Sequence, residues 1–539
     1  MAQSLRVTFK FVKTKGAFDA VPDTTTLVLG VCRKDDKASL HKAAKASKDS
    51  SKFISRLEAL PQISGRADSV HSFLENPSLV PEYNNLVCLG VGTPKDLTAQ
   101  KVLHWGGKIA HELRHQKLNQ VAISIDTLYN PASSNNASDA PRDFAGRTSL
   151  SGIPTREDFL EKLALGIALG QYSFPKYKSK KEDSPPSLEV RFISSLLDGK
   201  KVAAILSRVE TLAKAAYLTR DLQTTPGGDL PPAEIAKRAQ AAGREFGFST
   251  TVWDEKKLKG EGMNGILTVG MGSANPPRFV IMEHNASQKK LPLLVLVGKG
   301  ISFDTGGICI KPAAGMEEMK MDMSGAAAVI GAMAAIADLE IPLRVVGLVA
   351  SAENMPSGTA VRPGDIYTAL GGTTVEVINT DAEGRLVLGD ALSFAKTLKP
   401  DACIDVATLT GAVVIALGHV ASGLMGNDAK LIEQFKLASE KSGEKVWELP
   451  LYPEYLEDIK SKIADIKNVG SDRGAGSQKG GAFLQHFVGD SFPWIHLDVA
   501  GTADTPKGQG AHCPPDVGTA VPLRSLVEFA TQMAAGKKR

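Results

Sequence analysis

Lys299, Asp304, Lys311 and Asp322 lie close together in the segment LVGKGISFDTGGICIKPAAGMEEMKMDMSGAAAV, and Asp381, Glu383 and Arg385 follow in EVINTDAEGRLVLGDAL. Four carboxylates and two lysines are set here in apolar, glycine- and alanine-rich sequence. Burying like charges is costly unless a cation neutralises them, so the pattern points to a metal centre, with two ions. Carboxylate oxygens suit divalent ions such as Mn²⁺, Mg²⁺ or Zn²⁺. Asp381 and Glu383 stand two apart and can reach one site. Asp322 opens an expected helix, whose N-terminal dipole favours negative charge. Asp304 precedes Thr305-Gly306-Gly307, where glycines allow close backbone approach to an ion. Lys299 could serve as a neutral amine ligand, because neighbouring cations depress an ammonium pKa. Lys311, kept charged, could polarise a substrate carbonyl, and Arg385 could hold an anion. The bland alternative is an exposed ion-pair network across loops, which fits such small-residue surroundings poorly.

These residues need a scaffold to hold them. From about residue 230 the pattern alternates strand and helix. Helices are expected at 232–246, 325–339 and 386–398, and strands at 250–253, 278–283, 291–297, 343–350, 374–378 and 402–407. Continuous apolar strands alternating with amphipathic helices imply an α/β domain with a mostly parallel sheet covered on both faces. Ligands bind such sheets beyond the carboxyl ends of the strands, and both charged clusters are expected in loops there. Residues 1–195 read as a smaller α/β domain, 196–225 as a connecting helix and 226–539 as the catalytic domain. Residues 130–152, rich in Ser, Asn, Ala and Pro, read as a long exposed loop.

Composition narrows the function. The 539 residues exceed one compact domain, and 43% hydrophobic with 23% charged residues is ordinary for a soluble protein. A net charge of +4 gives no reason to invoke nucleic acid or an anionic membrane. The five cysteines form no CxxC pair and sit mostly in apolar contexts, as in Ile308-Cys309-Ile310, so buried thiols in a reducing compartment are expected. The N-terminus has no secretory h-region, and no run approaches eighteen apolar residues. The expected location is cytoplasmic, with no membrane partner.

The strings GKGISFDTGGICIK, MKMDMSGAA and NTDAEGRL closely resemble the leucyl aminopeptidase family of dinuclear metallopeptidases, peptidase family M17. The resemblance runs from about residue 205 to the end and includes RDLQTTPGGDLPP, DVATLTGA and HLDVAGTA, whereas the N-terminal third matches only in general character. It implies two Zn²⁺ or Mn²⁺ ions per subunit. Asp304, Asp381 and Glu383 would hold the more exchangeable ion, and Lys299, Asp304, Asp322 and Glu383 the tighter one. A hydroxide between the ions would attack the scissile carbonyl while the substrate's free amine sits on one ion. Lys311 would polarise the carbonyl, and Arg385 would hold a bicarbonate acting as general base. Met319, Thr408, Gly411, Ala500 and Ala503 would surround the first side chain, favouring leucine or another apolar residue. The resemblance further implies a homohexamer, a dimer of trimers around an inner cavity that admits short peptides. Residues 476–484, GSQKGGAFL, depart from the family's usual GGxxTAAxFL, with Gln478 and Lys479 replacing an apolar residue and a threonine.

Three alternatives compete with this reading, and one of them, a non-peptidase scaffold that keeps the fold, is opposed by the intact set Lys299, Asp304, Lys311, Asp322, Asp381, Glu383 and Arg385. His111-Glu112-Leu113-Arg114-His115 spells HExxH, a zinc-binding helix motif. If Val102, Gly106, Ile109 and Leu113 form the buried stripe, His111 points to solvent and the motif is a polar helix face. Lys42, Lys45, Lys48 and Lys52 could form a DNA-binding face, but Asp49 interrupts them and a solvated helix face is the better reading.

Overall fold

The computed structural model describes residues 5–15, 19, 21–34, 37–39, 63, 66–75, 83–92, 97–129, 155–179, 187–504 and 510–536. The 130–152 segment and the lysine run at 42–52 lie outside them. The chain divides into two compact units, one of residues 4–214 with 510–514, the other chiefly 215–509 with 515–539.

The N-terminal unit is built on a seven-stranded sheet. Its strands are Val7–Lys13 (β1), Thr26–Lys34 (β2), Lys37–Ser39 (β3), Val70–Phe73 (β4), Asn85–Gly92 (β5), Gln120–Ser124 (β6) and Leu188–Ser194 (β7). They run in the order β1-β7-β6-β2-β5-β4, with β3 paired to β2. Helices Ala99–His115 (α1) and Arg156–Gly170 (α2) pack together at backbone distance. A Cβ on Gly106 would stand 2.3 Å from the Leu163 carbonyl oxygen, and one on Gly166 would stand 2.2 Å from that of Leu103. Only glycine permits that crossing. On α1, Val102, Gly106, Ile109 and Leu113 are buried, as the periodicity requires, and His111 and His115 are exposed. Glu112 is occupied by Ser72 and Gln116, at 2.5 and 2.9 Å. The HExxH string is therefore a polar helix face. Helix Gly199–Thr224 (α3) follows, and the two units divide within it, between Lys214 and Ala215.

The second unit holds the expected mostly parallel sheet, with antiparallel strands toward its edges. Its eight strands are Ser249–Trp253 (β8), Arg278–His284 (β9), Leu293–Asp304 (β10), Arg344–Asn354 (β11), Ala402–Ala407 (β14), Ser422–Gly426 (β15), Val446–Glu448 (β16) and Trp494–Asp498 (β18). The order is β16-β15-β18-β14-β10-β11-β9-β8, and β18, β14, β10 and β11 form a parallel centre. Helices Pro232–Phe246 (α4), Ser324–Asp338 (α5) and Gly384–Leu398 (α6) lie near the expected spans. The stretch Met316–Asp338 is long and apolar enough to cross a membrane, but 94% of its most apolar 18-residue window is buried, and its α5 portion packs on β10, β11 and β14 as a core helix.

Two expectations need correction. Lys299 and Asp304 are not in a loop after their strand: β10 continues to Asp304 because β11 extends alongside it, and after a bulge Asp304 pairs with Asn354. Polar residues at a strand end read as loop when the partner strand is unknown. The strand expected at 374–378 is Thr374–Glu376 (β13), which leaves the main sheet and pairs with Ile366–Thr368 (β12) and Ile466–Lys467 (β17). The thiols follow expectation at Cys88, Cys403 and Cys513, which are buried and free. Cys309 is only half-buried, and its neighbours Ile308 and Ile310 are 44% and 63% exposed.

Candidate metal centre

The carboxyl ends of β10 and β14, the turn before α5 and the start of α6 converge on one cluster. Lys299, on β10, reaches Asp322 Oδ1, Glu383 Oε1 and the Thr408 carbonyl, each at 2.8 Å from its Nζ. Lys311 Nζ lies 2.8 Å from Asp304 Oδ2 and 2.5 Å from Asp381 Oδ1. Ligand oxygens of Asp304, Asp381 and Glu383 fall within 4.8 Å of one another. Gly306 and Gly307 make the turn that folds Lys311 back, with φ of +86° and +66°. A Cβ on Gly306 would also meet the Cys309 carbonyl at 2.5 Å and Asp381 Oδ1 at 2.8 Å. Asp322 follows a 3₁₀ turn, Met316–Met321, and stands two residues before α5, while Glu383 is the N-cap of α6.

Burial rules out the exposed ion-pair network. Lys299, Asp304 and Glu383 are no more than 3% exposed and Asp322 is 7% exposed; Asp381 and Lys311 are half-buried. Four carboxylates against two ammoniums leave two uncompensated negative charges in a water-poor site. The carboxyls register that excess. Burial, with further repulsion from neighbouring carboxylates, pushes Asp322 well above the usual range and raises Glu383 and Asp381 as well. Burial works against the charge on Lys299 and Lys311, but the surrounding carboxylates outweigh it and hold both ammoniums above their usual range. Asp322 Oδ2 is buried without a hydrogen-bond partner. An orphaned carboxylate oxygen in a site with two surplus negative charges is what a divalent cation would satisfy, so the donor set fits a metal. Lys299 can become a ligand only by shedding its proton as cations replace it between Asp322 and Glu383.

Comparison with known proteins points the same way. Residues 217–527 match the catalytic-domain model of the cytosol aminopeptidase family, and residues 28–145 match that family's N-terminal domain. The chain belongs to the cytosol aminopeptidase family. It is therefore a peptidase, and the N-terminal match is more specific than the general character read from the sequence. A probable cytosol aminopeptidase of Geobacter sulfurreducens is 39% identical over 499 residues, covering 92% of this chain and 95% of the relative. The cytosol aminopeptidase of Pseudomonas aeruginosa is 42% identical over 409 residues, covering 76% and 81%. Among solved structures, a tomato leucine aminopeptidase variant superposes with a TM-score of 0.80 at 27% identity, covering 98% of this chain and 96% of that one. The bottromycin maturation enzyme BotP in complex with Mn does so at 0.77 and 30% identity, covering 95% and 100%.

Of the other residues singled out in this aminopeptidase chain, Thr408 bonds the cluster directly and the rest have other partners or surroundings. Arg385 is buried on the first turn of α6 and donates from Nη1 to the Asn468 carbonyl at 2.7 Å, while its Nε has no hydrogen-bond partner. Burial brings its pKa down to about 10, against the pull of Glu383 and Asp498. Thr408 is tied directly to the cluster, donating to Asp322 Oδ1 at 2.7 Å. Met319 is half-buried in the 3₁₀ turn, and Gly411 is an exposed first residue of helix Gly411–Leu417. Ala500 donates its N–H to Asp498, and Ala503 is 1% exposed with its carbonyl accepting from Thr519. Lys479, the unusual residue in GSQKGGAFL, is accommodated by ion pairs to Asp458 and Asp472, each at 2.6 Å.

Sequence reasoning missed the residues that align these segments. Asn468, fully buried, accepts from the Ile378 and Asn379 N–H groups and donates to the Asn379 and Ala382 carbonyls, backing the whole NTDAEGR turn. The Asp498 carboxylate accepts from the Leu409 N–H and the Thr410 hydroxyl. Asp498 lay in the quoted HLDVAGTA string and Thr380 in NTDAEGRL, but nothing local marked Asn354 or Asn468.

Proposed function

We propose that this protein is a metalloaminopeptidase that releases N-terminal amino acids, leucine or other apolar residues by preference, from short peptides. The observation that carries the reading is the cluster of four carboxylates and two lysines, three of the carboxylates and Lys299 buried, with two negative charges to spare. In this reading Asp304, Asp381 and Glu383 hold one divalent ion, and Lys299, Asp304, Asp322 and Glu383 hold the other, Zn²⁺ or Mn²⁺. Bound there, the ions supply Lewis acidity and a water made acidic enough to act near neutral pH.

The chain's own groups do the rest. Lys311, the more exposed of the two lysines, keeps its proton and hydrogen-bonds the scissile carbonyl oxygen as negative charge develops on it. Arg385, with its unpartnered Nε, holds an anion, assigned as bicarbonate, that takes up a proton. Met319, Thr408, Gly411, Ala500 and Ala503 form the wall for the first side chain. A homohexamer, a dimer of trimers, would confine the reaction to peptides small enough to enter its cavity; an equilibrium mass near the 57.1 kDa of one chain would refute that assembly. The cytoplasm is the location in keeping with the relatives' names.

The test is hydrolysis of a leucyl amide or leucyl fluorophore before and after chelation, with Mn²⁺ or Zn²⁺ returned. Activity that disappears with the chelator and comes back with the metal supports the reading. Folded, metal-loaded protein that stays inert under every metal refutes it.

A further inference from the structure

Asn354 is the last residue of β11 and is 2% exposed, and the mechanism above gives it no part. Its side-chain nitrogen lies 2.7 Å from Asp304 Oδ1 and 3.0 Å from the Thr380 carbonyl oxygen. Both neighbours are acceptors only, so the amide must point its NH₂ toward them, one hydrogen to each. Its backbone carbonyl accepts from the Thr305 N–H at 3.0 Å and the Thr305 hydroxyl at 2.9 Å. Asn354 thus grips the residue after Asp304 with its main chain, and Asp304 and the residue before Asp381 with its side chain.

The Asp304 carboxylate is left with two different ends. Oδ1 accepts from the Gly306 N–H at 2.8 Å as well as from Asn354, so its lone pairs are engaged by neutral donors. Oδ2 faces Lys311 and the other carboxylates. Thr380 completes the stitch: its hydroxyl donates to the Gly306 carbonyl at 2.6 Å and accepts from the Cys309 N–H at 2.9 Å. Without Asn354, only the Gly306 N–H would hold Oδ1 against rotation about χ2, a soft torsion, and the two segments would lose the one bond between them that ends on the Asp304 carboxylate's own partner.

We propose that Asn354 is a positioning residue for the metal centre, fixing the Asp304 carboxylate and the Thr380 carbonyl in one frame so that the β10 end and the NTDAEGR turn present their oxygens together. This rests on the reading that Asp304 and Asp381 are metal ligands. Groups that orient ligands from behind typically change metal affinity 10- to 100-fold when removed.

The experiment measures Mn²⁺ affinity of the full-length protein by competition with a fluorescent chelator, for wild type, Asn354→Leu, Asn354→Ser and Asp381→Ala. Melting in excess chelator serves as the control for folding. Leucine matches the amide in shape without donors, and serine covers the case in which leucine prevents folding. We expect Mn²⁺ affinity at least tenfold weaker in the Asn354 variants, with kcat recovering toward wild type as Mn²⁺ is raised. Affinity within twofold of wild type, in either variant that melts cooperatively, overturns the proposal. Undiminished affinity in Asp381→Ala is a separate result that overturns the ligand reading itself, and the Asn354 proposal with it.

Discussion

Gly384→Ala separates the metal centre from the fold that carries it. A Cβ at this first residue of α6 would lie 2.6 Å from Lys299 Cε, 2.7 Å from Nζ and 2.8 Å from Cδ. Unbonded carbons settle at about 3.5–4.0 Å, so the tip of Lys299 must retreat by about 1 Å. The tip is flexible and can move, but the place it leaves is the point where Asp322, Glu383 and the Thr408 carbonyl meet. The metal-free fold feels two opposing effects. Alanine favours the helix by about 0.5–1 kcal/mol, and each charged hydrogen bond that Lys299 loosens is worth about 1.5–3 kcal/mol. The net loss is about 0.5–2.5 kcal/mol if only one such bond is given up. Function is hit harder, because a group misplaced by about 1 Å costs on the order of 100-fold in rate. Gly325→Ala is the contrast: its Cβ would lie 2.0 Å from the Val406 carbonyl oxygen, and backbone cannot swing aside. There the start of α5 must be pushed off β14, with overpacking of about 1–3 kcal/mol or more. Melting in chelator, Mn²⁺ titration and kcat/KM on a leucyl substrate would be measured for both. Gly384→Ala should melt close to wild type yet lose affinity for the tighter ion and about two decades of kcat/KM. Wild-type metal affinity in that variant would refute Lys299 as a ligand.

Two further perturbations test other parts of the argument. Lys311→Ala should cut kcat by about 100- to 1000-fold while Mn²⁺ affinity holds or rises, since one competing ammonium is gone from among the carboxylates; metal loss in that variant would mark Lys311 as structural. Asp390, fully buried on α6, is driven by burial from 3.8 to about 7, although N–H groups of Leu370, Ile266 and Gly265 pull it down. A carboxyl raised in the fold contributes stability that is present below its unfolded pKa and is lost as pH rises through the folded one. At about 1.4 kcal/mol per pH unit, wild type should lose about 4 kcal/mol relative to Asp390→Asn between pH 4 and 7. Parallel unfolding free energies for the two proteins across that window, from denaturant titrations, would show that Asp390 is not the group responsible.

The charged cluster was legible in one dimension. Lys299, Asp304, Lys311, Asp322, Asp381, Glu383 and Arg385 stand in short strings whose charge conflicts with their apolar surroundings, and that conflict is visible without coordinates. The α/β architecture was readable too, because β10, β11 and α5 are apolar almost end to end. So was the polar face that carries HExxH, since helical periodicity alone turns His111 outward. What the sequence could not contain is pairing between distant segments. Whether β10 stops before Lys299 or runs through Asp304 depends on how far β11 accompanies it, and β13 joins the small sheet because β17 lies beside it. The same holds for Asn354 and Asn468. Hydrogen bonds from single amides act over about 3 Å of space and leave no period or composition behind. Tertiary structure alone decided which oxygen of Asp304 is held and which faces the site.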